Sequence, residues 1–177
     1  NFVRIHAEDS RPWKEDEGPW LIDYSKGNSR NFDPSNRDKL DYLFYCLKQK
    51  GIYMQLDLFC YRGFFPDDGI DYPDDMMKYF KQVNIFNRRL IELQQEFAKE
   101  YLGHVNPYTG MSYLDDPAVI VVQVMNEDGI FWYEGRDEIG LPSYRAELDR
   151  RFNNYLLAKY GSRKALDNAW TKDDGTR

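Results

Sequence analysis

Cysteine and histidine are scarce: the 177 residues hold two of each, which excludes a disulfide scaffold and a Cys/His zinc module. Positive charge is not in surplus either. There are 24 Lys+Arg against 30 Asp+Glu, a net charge of −6, so the basic face that a phosphate backbone requires is missing and no nucleic-acid partner is expected. No apolar run approaches the ~20 residues of a membrane span, so no membrane partner is expected. Glycines form no phosphate-cradling loop, and the acidic clusters lack EF-hand spacing. Those clusters are Glu8, Asp9, Glu15, Asp16 and Glu17, then Asp67, Asp68, Asp71, Asp74 and Asp75. They read as solvated loops, and neither a metal nor a cofactor is expected. No signal-type segment opens the chain, which starts directly on a strand pattern at Asn1–His6 and stops on polar Asp173–Arg177. Residues 1–177 are therefore expected to be a piece of a longer protein.

What is present is a foldable mix, 42% hydrophobic with 31% charged, which excludes a disordered chain. Aromatics are abundant, with 4 Trp, 14 Tyr and 11 Phe, several of them in segments that read as loops.

Three strand-then-helix units follow one another. The first has a short strand at Phe2–His6, a long loop, and a helix opened by Asp33 as N-cap with Pro34 behind it. Leu40, Leu43, Phe44 and Leu47 fall on one face of that helix, and Gly51 supplies a left-handed stop. In the second, Ile52–Phe59 alternates, with Met54, Leu56 and Leu58 on one face and Gln55, Asp57 and Phe59 on the other. Its loop runs to about Gln82, with a short helix expected over 74–80. Its helix carries Phe86, Leu90, Leu93, Phe97 and Tyr101 and closes at Gly103. The third begins with Val119–Met125, a run suited to a parallel strand covered on both faces. A helix at 143–160 follows, with Leu148, Phe152, Tyr155 and Leu156 as its stripe, and then a short helix at 162–170.

Repeated β/α units imply parallel strands with right-handed crossovers. All three strand-to-helix loops are long, so residues accumulate at the C-terminal edge of the strands, where α/β barrels and open α/β sheets hold their sites. Arg4 and His6 share a face of the first strand, Gln55 and Asp57 a face of the second, Gln123, Met125 and Glu127 a face of the third. Polar groups inside apolar strands need partners, and one shared polar interior would satisfy them together. Asn126-Glu127 alone would be a turn opener. At a strand end, Glu127 is expected to be a buried carboxylate with raised proton affinity, able to act as an acid, with Asn126 donating to a substrate hydroxyl. Trp13, Trp20 and Trp132 lie in the loops at this edge as candidates for stacking on a substrate, with Tyr61, Phe64, Phe65 and Tyr133 as weaker candidates. His6 suits a substrate contact or a satisfied buried histidine, and Asp57 a hydroxyl contact or a pair with Arg4. Cys46 and Cys60 are not expected to pair, and His104 is expected to belong to a structural loop.

Val119 to Asn126-Glu127 resembles the fourth strand of the clan-A retaining glycoside hydrolases, which include family 5 cellulases and mannanases and family 42 β-galactosidases. Asn1–His6 is similar to their second strand, and Asp33–Phe59 to the following helix and third strand. His104-Val105-Asn106-Pro107-Tyr108-Thr109-Gly110, Asp116-Pro117-Ala118-Val119 and the 156–170 segment resemble a bacterial branch of the clan. The resemblance spans nearly the whole chain and implies three β/α units of a (β/α)8 barrel, covering about strands two to four. It implies hydrolysis of β-linked sugars in oligo- or polysaccharides, with Glu127 as acid/base, Asn126 on the sugar 2-hydroxyl, and Arg4 beside the nucleophile. It also implies export, to the periplasm or outside the cell. Phe59 departs from the clan, many members of which carry a histidine there. The clan's nucleophile, a Glu ending strand seven, lies beyond this chain, so the 177 residues alone are expected to be inactive, with two open edge strands. A non-hydrolytic carbohydrate-binding protein and an unrelated doubly wound α/β domain are the alternatives.

Overall fold

A computed structural model describes residues 1–10, 20–71, 80–131 and 139–171. The chain divides into two compact units, Asn1–Glu138 and Ile139–Arg177.

In the first unit, β1 (Phe2–Ile5) leads through a long loop to α1 (Pro34–Gln49). Asp33 caps the helix as expected: its carboxylate accepts the Asn36 N–H at 2.7 Å, and Pro34, with no N–H to lose, occupies the first turn. The helix stops at Gly51, which takes φ 64°. Phe44 is buried, with Leu40 and Leu47 packed against the core. Leu43 is not part of that face. It remains 45% exposed at the rim of a shallow 180 Å³ pocket, and the buried neighbour is Asp41 instead. Asp41 can be buried because its oxygens accept from Tyr113 Oη at 2.7 Å and His104 Nε2 at 2.8 Å. His104 is thus structural, as its loop suggested.

β2 (Tyr53–Asp57) runs into the second long loop and then α2 (Arg88–Gly103), capped by Asn87, whose side chain accepts the Leu90 N–H at 3.1 Å. Leu90, Leu93, Phe97 and Tyr101 form its buried face, at the helical spacing seen in the sequence. The short helix expected over 74–80 falls mostly outside the described residues. A two-residue antiparallel ladder, β3 (Val105–Asn106) with β4 (Met111–Ser112), frames the Asn106–Gly110 turn. β5 (Val119–Gln123) completes a parallel three-stranded sheet in the order β1-β2-β5. The protein is thus an α/β protein with a parallel sheet. One sheet face meets the helices through Ile5, Met54, Leu56 and Leu58, packed with Leu21, Ile22, Phe44, Phe97, Tyr101 and Tyr113. As expected, Cys46 and Cys60 remain free thiols.

β5 departs from the expectation of a strand covered on both faces. Ile120, Val121 and Val122 are 53%, 42% and 36% exposed. β5 lies at the end of the sheet, and no described strand pairs with its outer edge. The apolar run records a strand suited to burial, and the described residues supply a cover for only part of it.

In the second unit, α3 (Pro142–Tyr160) ends at Gly161 (φ 72°), and Ser162 caps α4 (Arg163–Trp170) by accepting the Ala165 N–H at 3.2 Å. Trp170 Nε1 donates to Tyr160 Oη at 3.0 Å. The stripe expected on α3 is not buried: Phe152 and Tyr155 are 49% and 55% exposed. Two helices alone offer too little surface to cover it. Intrahelical pairs such as Arg145–Asp149 and Arg151–Glu147 line the solvent side. No helix among the described residues is long and apolar enough to cross a membrane.

Candidate active site

The strand register assembles the polar cluster. Arg4 of β1 lies opposite Gln55 of β2, and Asp57 of β2 lies opposite Gln123 of β5. The second pairing depends on an irregularity. Met54 pairs with Val119, but Gln55 pairs with Val121, so Ile120 is skipped. A regular ladder would set Val122 beside Asp57, and the one-residue slip replaces it with an amide.

Asp57 is the hub, its side chain fully shielded from solvent. Its Oδ2 accepts from Arg4 Nε and from His6 Nδ1, each at 2.6 Å, and its Oδ1 accepts from Gln55 Nε2 at 2.8 Å. An ionised carboxylate only accepts, so His6 carries a proton on Nδ1. Gln55 Nε2 also reaches Gln123 Oε1 at 2.9 Å. Arg4 Nη2 donates to Asn126 Oδ1 at 2.6 Å, and Gln123 Nε2 donates to the same oxygen at 3.3 Å. The Asn126 main-chain N–H is fixed on the Phe59 carbonyl at 2.9 Å. With two donors on Oδ1, the Asn126 amide orientation is set, and Nδ2 remains as the donor side. The sequence expectation that Arg4, His6, Asp57 and Asn126 meet is realised, with Asp57 paired to Arg4.

Removing this hub strands three donors. Asp57→Ala is expected to destabilise the protein by about 2–3 kcal/mol. Asp57→Asn, which keeps one acceptor oxygen, is expected to cost less. Urea unfolding of both variants checks this, and equal costs would contradict the hub role.

Glu127 does not sit where expected. Its side chain is 57% exposed, so it is not a buried carboxylate. The cause is local: Glu127 adopts φ 58°, a left-handed conformation that turns the side chain out of the strand direction. Among the described residues, three non-glycine positions have positive φ, namely Ala7 (70°), Phe80 (45°) and Glu127. They follow His6, precede Lys81 and follow Asn126 respectively, so the strained backbone concentrates around the site.

Burial and raised proton affinity fall on neighbours that the sequence did not single out. Asp128, with a side chain 1% exposed, is pushed up to about 7 by desolvation, against the lowering effect of the Asn84 amide and the Lys81 ammonium. Glu8 is pushed up to about 8, chiefly by burial, with Asp9 and Asp57 adding repulsion. Asp9, fully buried, is raised by desolvation although its carboxylate accepts the Cys60 and Tyr61 N–H groups at 2.9 and 3.1 Å. Asp68 is also buried, receiving the Ser29 and Phe65 N–H groups. Glu8, Asp9 and Asp68 are therefore not solvated loop acids. Main-chain donors from distant segments satisfy Asp9 and Asp68, a pairing that composition does not reveal.

The aromatic candidates divide. Trp20 is half-buried, and its carbonyl accepts Asn36 Nδ2 at 2.8 Å at the start of α1. Trp13, Trp132 and Tyr133 lie outside the described residues. Phe64 is core, stacked on Phe59 and edge-on to Phe80. Tyr61 meets His6 edge to face at 5.8 Å and so borders the polar cluster.

His6, Asp57 and Cys60 bring three potential metal donor atoms within 4.8 Å of one another. They are poorly suited to a cation. The Asp57 oxygen they share already holds the Arg4 guanidinium and the His6 proton, and burial pushes the Cys60 thiol well up, with Asp9 adding to it. Hydrogen bonds account for the cluster without an ion. Set against protein-family models, curated proteins and solved structures, the chain matches none of them.

Proposed function

We propose that the chain is the central portion of a barrel-type retaining glycoside hydrolase acting on β-linked sugars. One observation carries the reading: Arg4, Asp57 and Gln123, from three parallel strands, and Asn126, from the turn after β5, form one hydrogen-bonded network at the C-terminal edge, with an exposed Glu127 next in sequence. The open outer edge of β5, with its exposed valines and isoleucine, supports further strands completing a (β/α)8 barrel.

In the first step Glu127 gives its proton to the glycosidic oxygen as the anomeric C–O bond breaks. A carboxylate from another part of the barrel, ~5–5.5 Å away, bonds to the anomeric carbon. In the second step the Glu127 carboxylate takes a proton from water, whose oxygen attacks that carbon and releases the nucleophile. Asn126 Nδ2 donates to the sugar 2-hydroxyl. Arg4 uses Nε and Nη2 in the network, and its charge stands ready to keep the nucleophile ionised. His6, which shares Asp57 Oδ2 with Arg4, lies edge to face with Tyr61 beside it.

The test is a panel of aryl β-glycosides and polysaccharides offered to the full-length protein, with the anomer of the first product read by NMR. Hydrolysis with retention is the expected result. Saturable binding without turnover would favour the non-hydrolytic carbohydrate-binding alternative, and neither binding nor turnover would overturn both.

A further inference from the structure

The segment Phe80–Asn84 grips the turn that carries Glu127. Lys81 Nζ donates to the Asn126 carbonyl at 2.5 Å, and the Lys81 carbonyl accepts the Gly129 N–H at 3.1 Å. Gln82 Nε2 donates to the Ile130 carbonyl at 2.6 Å, and Asn84 Nδ2 to Asp128 Oδ2 at 2.6 Å. Glu127 is held between the two Lys81 contacts in its left-handed conformation, which persists only where the surroundings impose it.

Lys81 itself is unusual. A lysine side chain is almost never fully buried without partners, yet this one is 1% exposed. Its ammonium lies 4.0 Å from Glu127 Oε2, 3.9 Å from Asp128 Oδ1 and 5.0 Å from the centre of the Tyr61 ring. A strong main-chain hydrogen bond and two carboxylates offset the desolvation of the charge. The cation is consequently fixed in position relative to Glu127, whereas an exposed lysine would sweep through many rotamers.

We propose that Lys81 is the positioning residue of this site: its buried ammonium locks the Asn126 carbonyl and, lying between the Glu127 and Asp128 carboxylates, sets the direction in which Glu127 leaves the turn. The catalytic consequence rests on the hydrolase reading, while the positioning itself does not. Held this way, Glu127 meets the glycosidic oxygen with its angle already set. Freed, it would lose that alignment without losing its chemistry.

Two variants of the full-length protein test this. Lys81→Met keeps the stem and deletes the charge. Lys81→Met with Asp128→Asn removes both buried charges, so no unpaired carboxylate is left inside. Both are expected to lose slow exchange at the Gly129 amide. On an alkyl β-glycoside, whose departure needs a proton, kcat is expected to fall about 100-fold with KM nearly unchanged. On a dinitrophenyl glycoside, whose departure needs none, the glycosylation step should change little. Equal losses of kcat/KM on both substrates, or wild-type kcat with wild-type Gly129 protection, would overturn the inference. If the unsubstituted protein turns over no glycoside, the hydrolase reading fails, and the Gly129 amide alone decides the role of Lys81. In the unsubstituted protein the Lys81 ammonium protons should be visible by ¹⁵N NMR with contacts to the Glu127 side chain. An ammonium exchanging as fast as those of surface lysines would equally count against it.

Discussion

Replacing Glu127 by alanine is expected to slow hydrolysis of an alkyl β-glycoside by about 10³-fold, within the range that a positioned proton donor contributes. An alkoxide is a poor leaving group at neutral pH, so without the carboxyl group the C–O bond must break with charge unrelieved. A dinitrophenolate leaves unaided, so formation of the glycosyl-enzyme should be nearly normal on that substrate and its breakdown should become limiting. Breakdown then lacks a base to take the proton from water. Azide needs no such base and fits the space vacated by the side chain, so it should restore turnover and yield the β-glycosyl azide. Glu127→Gln should behave alike on the alkyl glycoside, since the amide has no acidic proton. Steady-state rates on the two substrates, with and without azide, check the assignment. Full activity of Glu127→Gln on the alkyl glycoside would exclude Glu127 as the acid/base. A uniform loss of kcat/KM on both substrates, unrelieved by azide, would point to a binding role in its place.

Much of this site could be read from two periodicities. The two-residue repeat of strands sets Arg4 with His6 and Gln55 with Asp57, and the helical repeat gives the buried face of α2. The cap at Asp33 marks a helix start whose local chemistry is self-contained. What escaped has a common cause. The slip between Met54 and Gln55, which brings Gln123 to Asp57, has no local signature because it belongs to a pairing between distant segments. The positive φ of Glu127 breaks the alternation that predicted burial. Leu43 carried the right spacing, but the buried place went to Asp41, supported by Tyr113 and His104 from beyond α2. Lys81 lies in a loop with no periodicity, and its burial depends on carbonyl and carboxylate groups 45 or more residues further along. Asp9 looked like a surface acid because composition counts charges without counting the amide donors that meet them.

Stability is expected to fall as pH rises from about 4 to about 8, a direction opposite to ordinary acid denaturation. The folded state holds a proton on Glu8 up to about pH 8, while the unfolded chain releases it near the ordinary carboxylate value of 4.5. Between those values unfolding releases a proton, so each step up in pH favours the unfolded chain, and the effect levels off above pH 8. At its full extent Glu8 alone is worth about 3–5 kcal/mol. Asp128 adds a smaller effect over the lower window, from 3.8 to about 7. Its repulsion from Glu127 and Asp9 acts with burial, while Asn84 and Lys81 oppose them. Glu8→Gln isolates the larger effect. Oε2 of Glu8 is buried and accepts no hydrogen bond, so a neutral amide of nearly the same shape gives up no partner. The variant should match the parent near pH 4.5 and exceed it progressively towards pH 8, with its own pH slope reduced to the shares of Asp128 and Asp9, both raised by burial. Urea unfolding of the full-length protein at intervals across this range measures both curves. Parallel curves would mean that Glu8 is ionised in the folded state, and that the crowding of Glu8, Asp9 and Asp57 at the end of β1 is relieved by a cation or a structural shift rather than by a proton.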